Sequence, residues 1–170
     1  MRPSANDYAP AHANYVALCP EEDVLSAIEQ QSSATQKLLS SVDEAKSAYR
    51  YAEGKWSIKE VLGHVGDAER ILCYRALAVA RGDAQPLPGF DEQEYVRNAA
   101  FDHWKFGDLL EQYALVRRAT IVFLRNLAEE AWHRRGIANG HPISVLGMAY
   151  VILGHERHHL QVLAERYGVK

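Results

Sequence analysis

Three of the chain's eight histidines crowd into one stretch near the C-terminus, Gly154-His155-Glu156-Arg157-His158-His159-Leu160-Gln161. Residues four apart on an α-helix are offset by only about 40° around its axis, so the imidazoles of His155 and His159 can face one point while His158 falls on another flank. That is how a helix presents two nitrogen ligands to one divalent ion. A third ligand from a different helix would complete a facial set with open positions. Such a set suits catalysis, because zinc held purely for structure is generally closed by four protein ligands. Two core histidines bonded to polar neighbours would satisfy the same spacing, so the chemistry turns on the third ligand.

Helices have to position these groups. Residues 1 to about 19 are rich in Pro, Ala, Asn and Tyr without periodicity, and read as an extended arm lying over the rest. A first helix is predicted over about 20–43, with Pro20 in its first turn, Glu21, Glu22 and Asp23 at its positive end, and Leu25, Ile28, Thr35, Leu38, Leu39 and Val42 at three-to-four spacing. Ser57-Ile58-Lys59-Glu60 has the form of a capping box, which starts a second helix at Ile58; Gly82 and the Gln85-Pro86-Leu87-Pro88-Gly89 segment stop it after about Arg81. Asp91 to Arg97 reads as a short connecting helix, and a third long helix is predicted from about Asp102 to Ala128. Gly136 to Pro142 reads as a loop, Ser144 as the cap of a fourth helix, and no segment reads as a strand. The inner stripe of that last helix, Val145, Met148, Ile152, Val162 and Leu163, includes the angular positions of His155 and His159. Four long amphipathic helices imply an all-α bundle, a fold that commonly builds metal sites from side chains projecting inward.

His64 on the second helix lies about 60° from the middle of its apolar stripe and can look inward along the edge of the core. Read alone it is a satisfied core or edge histidine; Asp67, one turn on, could orient its imidazole or be a solvated acid. Glu156 and His158 flank the HxxxH pair and read as surface positions before proton-transfer groups. His12, His103, His133 and His141 read as ordinary polar positions, and Trp56, Trp104 and Trp132, near inferred helix ends, as rings closing the core.

Other chemistries lack support. No GxSxG, P-loop or GxGxxG pattern is present. Cys19 and Cys73, without CxxC spacing, read as reduced buried thiols. The net charge of −3 offers no general attraction for nucleic acid or anionic lipid. No apolar run approaches the roughly 20 residues of a bilayer span, and the first residues lack the apolar core of a secretory signal, so a cytoplasmic location is expected. At 170 residues, 48% hydrophobic and 24% charged, the chain is expected to form one domain with a buried core.

Taken together, Gly54-Lys55-Trp56-Ser57-Ile58-Lys59-Glu60-Val61-Leu62-Gly63-His64 and Gly154-His155-Glu156-Arg157-His158-His159-Leu160-Gln161 resemble the DinB-like (DinB/YfiT) superfamily of metal-binding four-helix bundles. The segment from Ala80-Arg81-Gly82-Asp83 to Phe90-Asp91 is similar to the loop after that family's second helix, and the likeness runs from about Tyr15 to Tyr167. The resemblance implies an up-down-down-up bundle and a divalent ion, often nickel or zinc, held by His64, His155 and His159. It also implies a homodimer, and a small-molecule reaction such as metal-dependent hydrolysis or transfer involving a low-molecular-weight thiol. A non-catalytic metal-binding bundle with a stress-related or structural role is the second reading. Two residues depart from the family pattern. Gly66 stands where a bulky aliphatic is common, leaving room expected beside His64; Arg157 replaces a frequently apolar residue on the outer face of the fourth helix, removing an apolar dimer contact there.

Overall fold

A computed structural model describes residues 1–170. Four long helices form the frame: α2 (Val24–Leu39), α4 (Ile58–Ala80), α6 (Phe106–Arg125) and α8 (Val145–Tyr167). Short helices α1 (Ala13–Ala17), α3 (Glu44–Ser47), α5 (Glu92–Ala99) and α7 (Glu129–Trp132) join or flank them, and strands β1 (Arg135–Ala138) and β2 (His141–Ser144) precede α8. No helix is long and apolar enough to cross a membrane.

Polar contacts along the helices give their directions. His64 meets His155, and the Tyr167 hydroxyl donates to the Trp56 carbonyl at 2.6 Å, so α4 and α8 run antiparallel. Lys59 Nζ donates to the Trp104 carbonyl just before α6 (2.7 Å) and Glu69 pairs with Arg117, so α4 and α6 run parallel. Tyr150 reaches back to the Glu21 carbonyl and Arg157 to Gln31, which makes α2 and α8 parallel. Glu29 pairs with Arg125, while Thr35 and Tyr113 meet at Glu156, so α2 opposes α6. The wiring is up-down-down-up. Parallel α4 and α6 oblige the intervening chain to travel back along the bundle, and α5 lies in that crossover.

Local chemistry sets the boundaries. Ser57 accepts from the Glu60 amide at 3.2 Å while the Glu60 carboxylate accepts from the Ser57 amide at 2.7 Å, so the capping box closes as predicted. Ser144 caps α8 by accepting from the Gly147 amide at 3.0 Å. Four expectations need correction. The first long helix spans Val24–Leu39 rather than 20–43, because Asp23 serves as its cap, accepting from the Ser26 amide at 3.1 Å. The third starts at Phe106 and ends at Arg125, Asp102 being engaged by the Ser57 hydroxyl at 2.8 Å. The segment read as a loop is an antiparallel hairpin, turned by Asn139 and Gly140, both at positive φ (49° and 74°), as a two-residue Asn-Gly turn requires. The N-terminal arm carries a 3₁₀ turn at Pro10–His12 and then α1, and packs directly on α8. Gly147 and Gly154 permit that approach: a Cβ at either would lie 1.9 Å from the Asp7 carbonyl oxygen or 2.0 Å from that of Tyr15.

Two apolar clusters fill the bundle, one around Ile28, Leu72, Leu124 and Leu153, the other around Leu39, Ile58, Leu109 and Leu163. Between them lies a buried polar layer. Arg117, fully buried, donates through Nε and Nη2 to Glu69 at 2.8 Å and through Nη1 to Glu156 at 2.7 Å. Glu156 also accepts from the hydroxyls of Thr35 (2.7 Å) and Tyr113. It is therefore a core residue, not the surface residue its flanking position suggested. Burial works against the Arg117 charge, but the two carboxylates outweigh it and hold the guanidinium firmly protonated.

Removing one member of such a network leaves the others buried and unpaired. Glu156→Ala should lower the unfolding free energy by about 3–5 kcal/mol in urea titrations. A loss below about 1 kcal/mol would show that the layer does not hold the bundle together.

Candidate metal centre

His64 projects from α4, His155 and His159 from α8, and all three rings meet just beside the polar layer. His155 Nε2 stands 3.0 Å from His64 Nε2 and 3.2 Å from His159 Nε2, and the ligand atoms of the three residues all lie within 4.8 Å of one another. A ring nitrogen carries one lone pair or one N–H, so His155 Nε2 cannot make two good hydrogen bonds at once. Nitrogens bonded to a common ion at about 2.1 Å stand about 3.0–3.4 Å apart, depending on coordination number. The two distances from His155 fit a shared ion better than a chain of hydrogen bonds.

Neighbours fix the rings. Trp56 lies 4.8 Å from His64 and 6.5 Å from His159 between ring centroids, and the Tyr15 ring meets His155 edge-on at 5.3 Å. Burial drives all three imidazoles toward the neutral form. His64 is pushed down to about 4, by burial first and then by the charge of His158. Burial, with His64 and His158, takes His159 to about 3, and His155, the most enclosed, is held well below the ordinary value by burial and the other rings. Neutral imidazole is the form that a metal ion would require of these rings.

A cavity of about 280 Å³ opens on His64 and His155, running along the groove between α4 and α8. Its walls include residues that carried no warning in the sequence: His12 and Tyr15 from the N-terminal segment, Arg75 from α4, Glu92 from α5, and Asn139 and His141 from the hairpin. They come from separate segments, so no spacing relates them. Only the Asn139-Gly140 turn was a local signal of the wall it builds. Glu92 Oε2 stands 3.9 Å from His64 Nε2. A second cavity of about 350 Å³ lies on the side of His159, lined by Trp56, Gln93, His158 and Tyr167 among others. Trp56 thus borders the triad as well as closing the core.

Other sequence candidates fall elsewhere. Asp67 bonds Arg70 at 3.2 Å and does not touch His64. A Cβ on Gly66 would meet Gln112 of α6 at 3.4 Å, so the missing side chain opens space against α6 and not in the cavity. Arg157 is not on an open outer face: it pairs with Glu21 at 2.7 Å and donates to the Leu18 carbonyl at 2.9 Å, tying the segment before α2 to α8. Cys19 is buried and its thiol is pushed up to about 11, chiefly by desolvation, so it is no nucleophile.

Similarity to known proteins agrees with this architecture. YfiT from Bacillus subtilis, described as a probable metal-dependent hydrolase with an unusual four-helix bundle topology, superposes with a TM-score of 0.69 at 15% identity, over 100% of this chain and 95% of that one. A mycothiol-dependent maleylpyruvate isomerase gives 0.70 at 19% identity, over 91% of this chain but only 63% of its own, so the present chain spans less than two thirds of that enzyme. At these identities the likeness speaks for the fold. No curated protein matches the chain. A sequence profile of the DinB superfamily matches residues 27–163, which include His64, His155, His159 and nearly the whole bundle, and the chain belongs to that superfamily.

Proposed function

We propose that this protein, as a single domain over residues 1–170, binds a divalent ion, zinc or nickel, through His64, His155 and His159 and uses it to transform a small molecule. The observation that carries the reading is the convergence of the three Nε2 atoms at 3.0 and 3.2 Å from a common member, beside a cavity. When bound in such a site, a divalent ion lowers the pKa of a water or thiol and polarises an electrophile. The protein's own part is to keep the three rings neutral, to clamp them between Trp56 and Tyr15, and to bring Glu92, the one carboxylate of the cavity, within reach of the site as a proton acceptor. Hydrolysis and thiol transfer both fit. The descriptions of YfiT as metal-dependent and of the isomerase as mycothiol-dependent support this pair of chemistries, with a low-molecular-weight thiol as a candidate partner.

A homodimer belongs to the same proposal. Arg157 raises no obstacle to it, since its charge is already matched by Glu21. The non-catalytic alternative differs in a measurable way. Turnover of ester, amide or thiol-acceptor substrates that disappears with chelator and returns with metal belongs to the enzyme, and its absence across all three classes would favour the scaffold.

His64 is the ligand contributed from outside the HxxxH helix, so its removal is the sharpest test. Zinc at about one hundred times its Kd should stabilise the wild-type protein by about 2.7 kcal/mol, and His64→Ala should lose that increment while keeping its helical circular dichroism. Unchanged zinc stabilisation in the variant would remove His64 from the ligand set.

Protons probe the same rings. Their folded-state values lie below the ordinary 6.5, at about 4 for His64 and about 3 for His159. The unfolded chain therefore binds more protons than the native one in that window. The stability of the metal-free protein should be fully present above pH 6.5 and fall as pH drops toward 4, by up to about 1.4 kcal/mol per pH unit for each site. His64→Asn should flatten part of the slope in urea midpoints measured across the window; a wild-type midpoint that stays level from pH 6.5 to 4 would show the rings to be solvated.

A further inference from the structure

The cavity has two ends. His64, Ala68, Leu72 and Arg75 follow one another on one face of α4, since eleven residues bring the helix back to within about 20° of its starting angle and carry the backbone about 16 Å along its axis. Antiparallel to them, His155, Val151 and Met148 form the same kind of row on α8. Between the histidines and Arg75 the floor is therefore apolar: Ala68, Leu72, Met148 and Val151. A small molecule lying in this groove meets imidazoles at one end and a guanidinium at the other.

Arg75 is buried, and no carboxylate pairs with it. Its one hydrogen bond to the protein runs from Nη2 to the Pro88 carbonyl at 2.6 Å, and its guanidinium lies 5.8 Å from the centre of the Phe90 ring. A guanidinium has five N–H donors, and a buried cation without a counter-ion is costly to keep, so a fold retains one where a bound anion completes it. Every other deeply buried charge in this protein is answered: Arg117 has two glutamates, and Lys59 has Glu44 and the Trp104 carbonyl. Beside Arg75, His12 carries the one buried side-chain nitrogen in the chain with no hydrogen-bond partner, Nδ1. His141 and the Asn139 amide complete this end of the wall, where no acid stands.

We propose that Arg75, with His12 in the same wall, is a receptor for the carboxylate of a small substrate whose apolar body lies on Leu72, Met148 and Val151 and whose reacting end faces His64 and His155. The planar fork of the guanidinium suits a carboxylate, which can accept two parallel hydrogen bonds from it. The inference names a substrate class for the proposed function, on which it rests only for the reacting end; the basic end stands on its own side chains. Anchoring the acid there fixes how far along the groove the substrate lies, and so which of its bonds reaches the histidines.

A matched pair of probes tests it: 4-phenylbutyrate and its neutral amide, titrated calorimetrically into the full-length protein with and without zinc. The carboxylate should bind about tenfold more tightly than the amide in both forms, because the anion is met by Arg75 and not by an ion. In Arg75→Gln the ratio should fall to about one while the amide's affinity changes less than about threefold. Equal affinities in the zinc-free wild type would overturn the proposal without any variant being needed. So would a preference that appears only with zinc and survives Arg75→Gln, since the carboxylate would then sit on the metal. A protein that takes up no zinc yet keeps the Arg75-dependent preference would refute the metal reading and leave this one standing.

Discussion

Arg117 is the pin of the bundle. It projects from α6 to bind Glu69 of α4 and Glu156 of α8 at once, while Glu156 also receives hydroxyls from α2 and α6. All four long helices are thereby joined at one level by charge-assisted hydrogen bonds among side chains buried from the surface. Apolar packing tolerates sliding by a fraction of a turn; a guanidinium shared between two carboxylates does not. Glu156 follows His155 directly, and Glu69 lies little more than one turn beyond His64, so fixing these acids also fixes the histidines. The convergence of Nε2 atoms from two helices is inherited from that register.

Burial also sets the chemistry of the rings. An imidazole exposed on a helix would titrate near the ordinary value and face outward. Enclosed between Trp56 and Tyr15, with other imidazoles nearby, it is disfavoured as a cation by burial first and by its neighbours second. Two kinds of buried polar group thus sit side by side with opposite solutions: the arginine–glutamate layer balances its charges internally, whereas the histidines remain neutral and leave lone pairs for an electrophile. The contrast is what makes the uncompensated Arg75 informative. In a protein that otherwise answers its buried charges, an unanswered one borders a cavity.

Much of this was legible in the sequence because the signals were local. Ser57 and Glu60 announce a helix start through three-residue spacing, and the HxxxH pair shows its geometry through four-residue spacing. His64 could be placed on the inward edge of its helix, though its partnership with the last helix came from family resemblance and not from periodicity. Glu156 was misplaced for a physical reason. On a helix enclosed on most sides, a charged residue cannot be assigned to the surface by type, and its counter-charge, Arg117, lies 39 positions away. Asp102 and Glu92 were opaque in the same way, each defined by contacts outside its own segment. The hairpin was a different kind of miss: Asn139-Gly140 is a strong turn signal, but the flanking strands are four residues each and too short to show alternation.

The site also explains why the N-terminal segment is part of the working molecule. Four helices alone would leave the groove between α4 and α8 open along its length. Gly147 and Gly154, seven residues apart on one face of α8, admit backbone where side chains would stand, and the segment from Asp7 to Tyr15 lies against them. That contact places Tyr15 against His155 and His12 in the same wall as Arg75. Arg135 holds Asp7 at 2.7 Å and Arg157 holds Glu21 at 2.7 Å, so the strap is tied on both sides of the cavity. The frame that positions the histidines and the strap that shapes the cavity are therefore separable in the sequence. Substitutions in the strap and hairpin can reshape the cavity without disturbing the polar layer that aligns the rings, which is the division that lets one arrangement of side chains stand beside cavities of different shape.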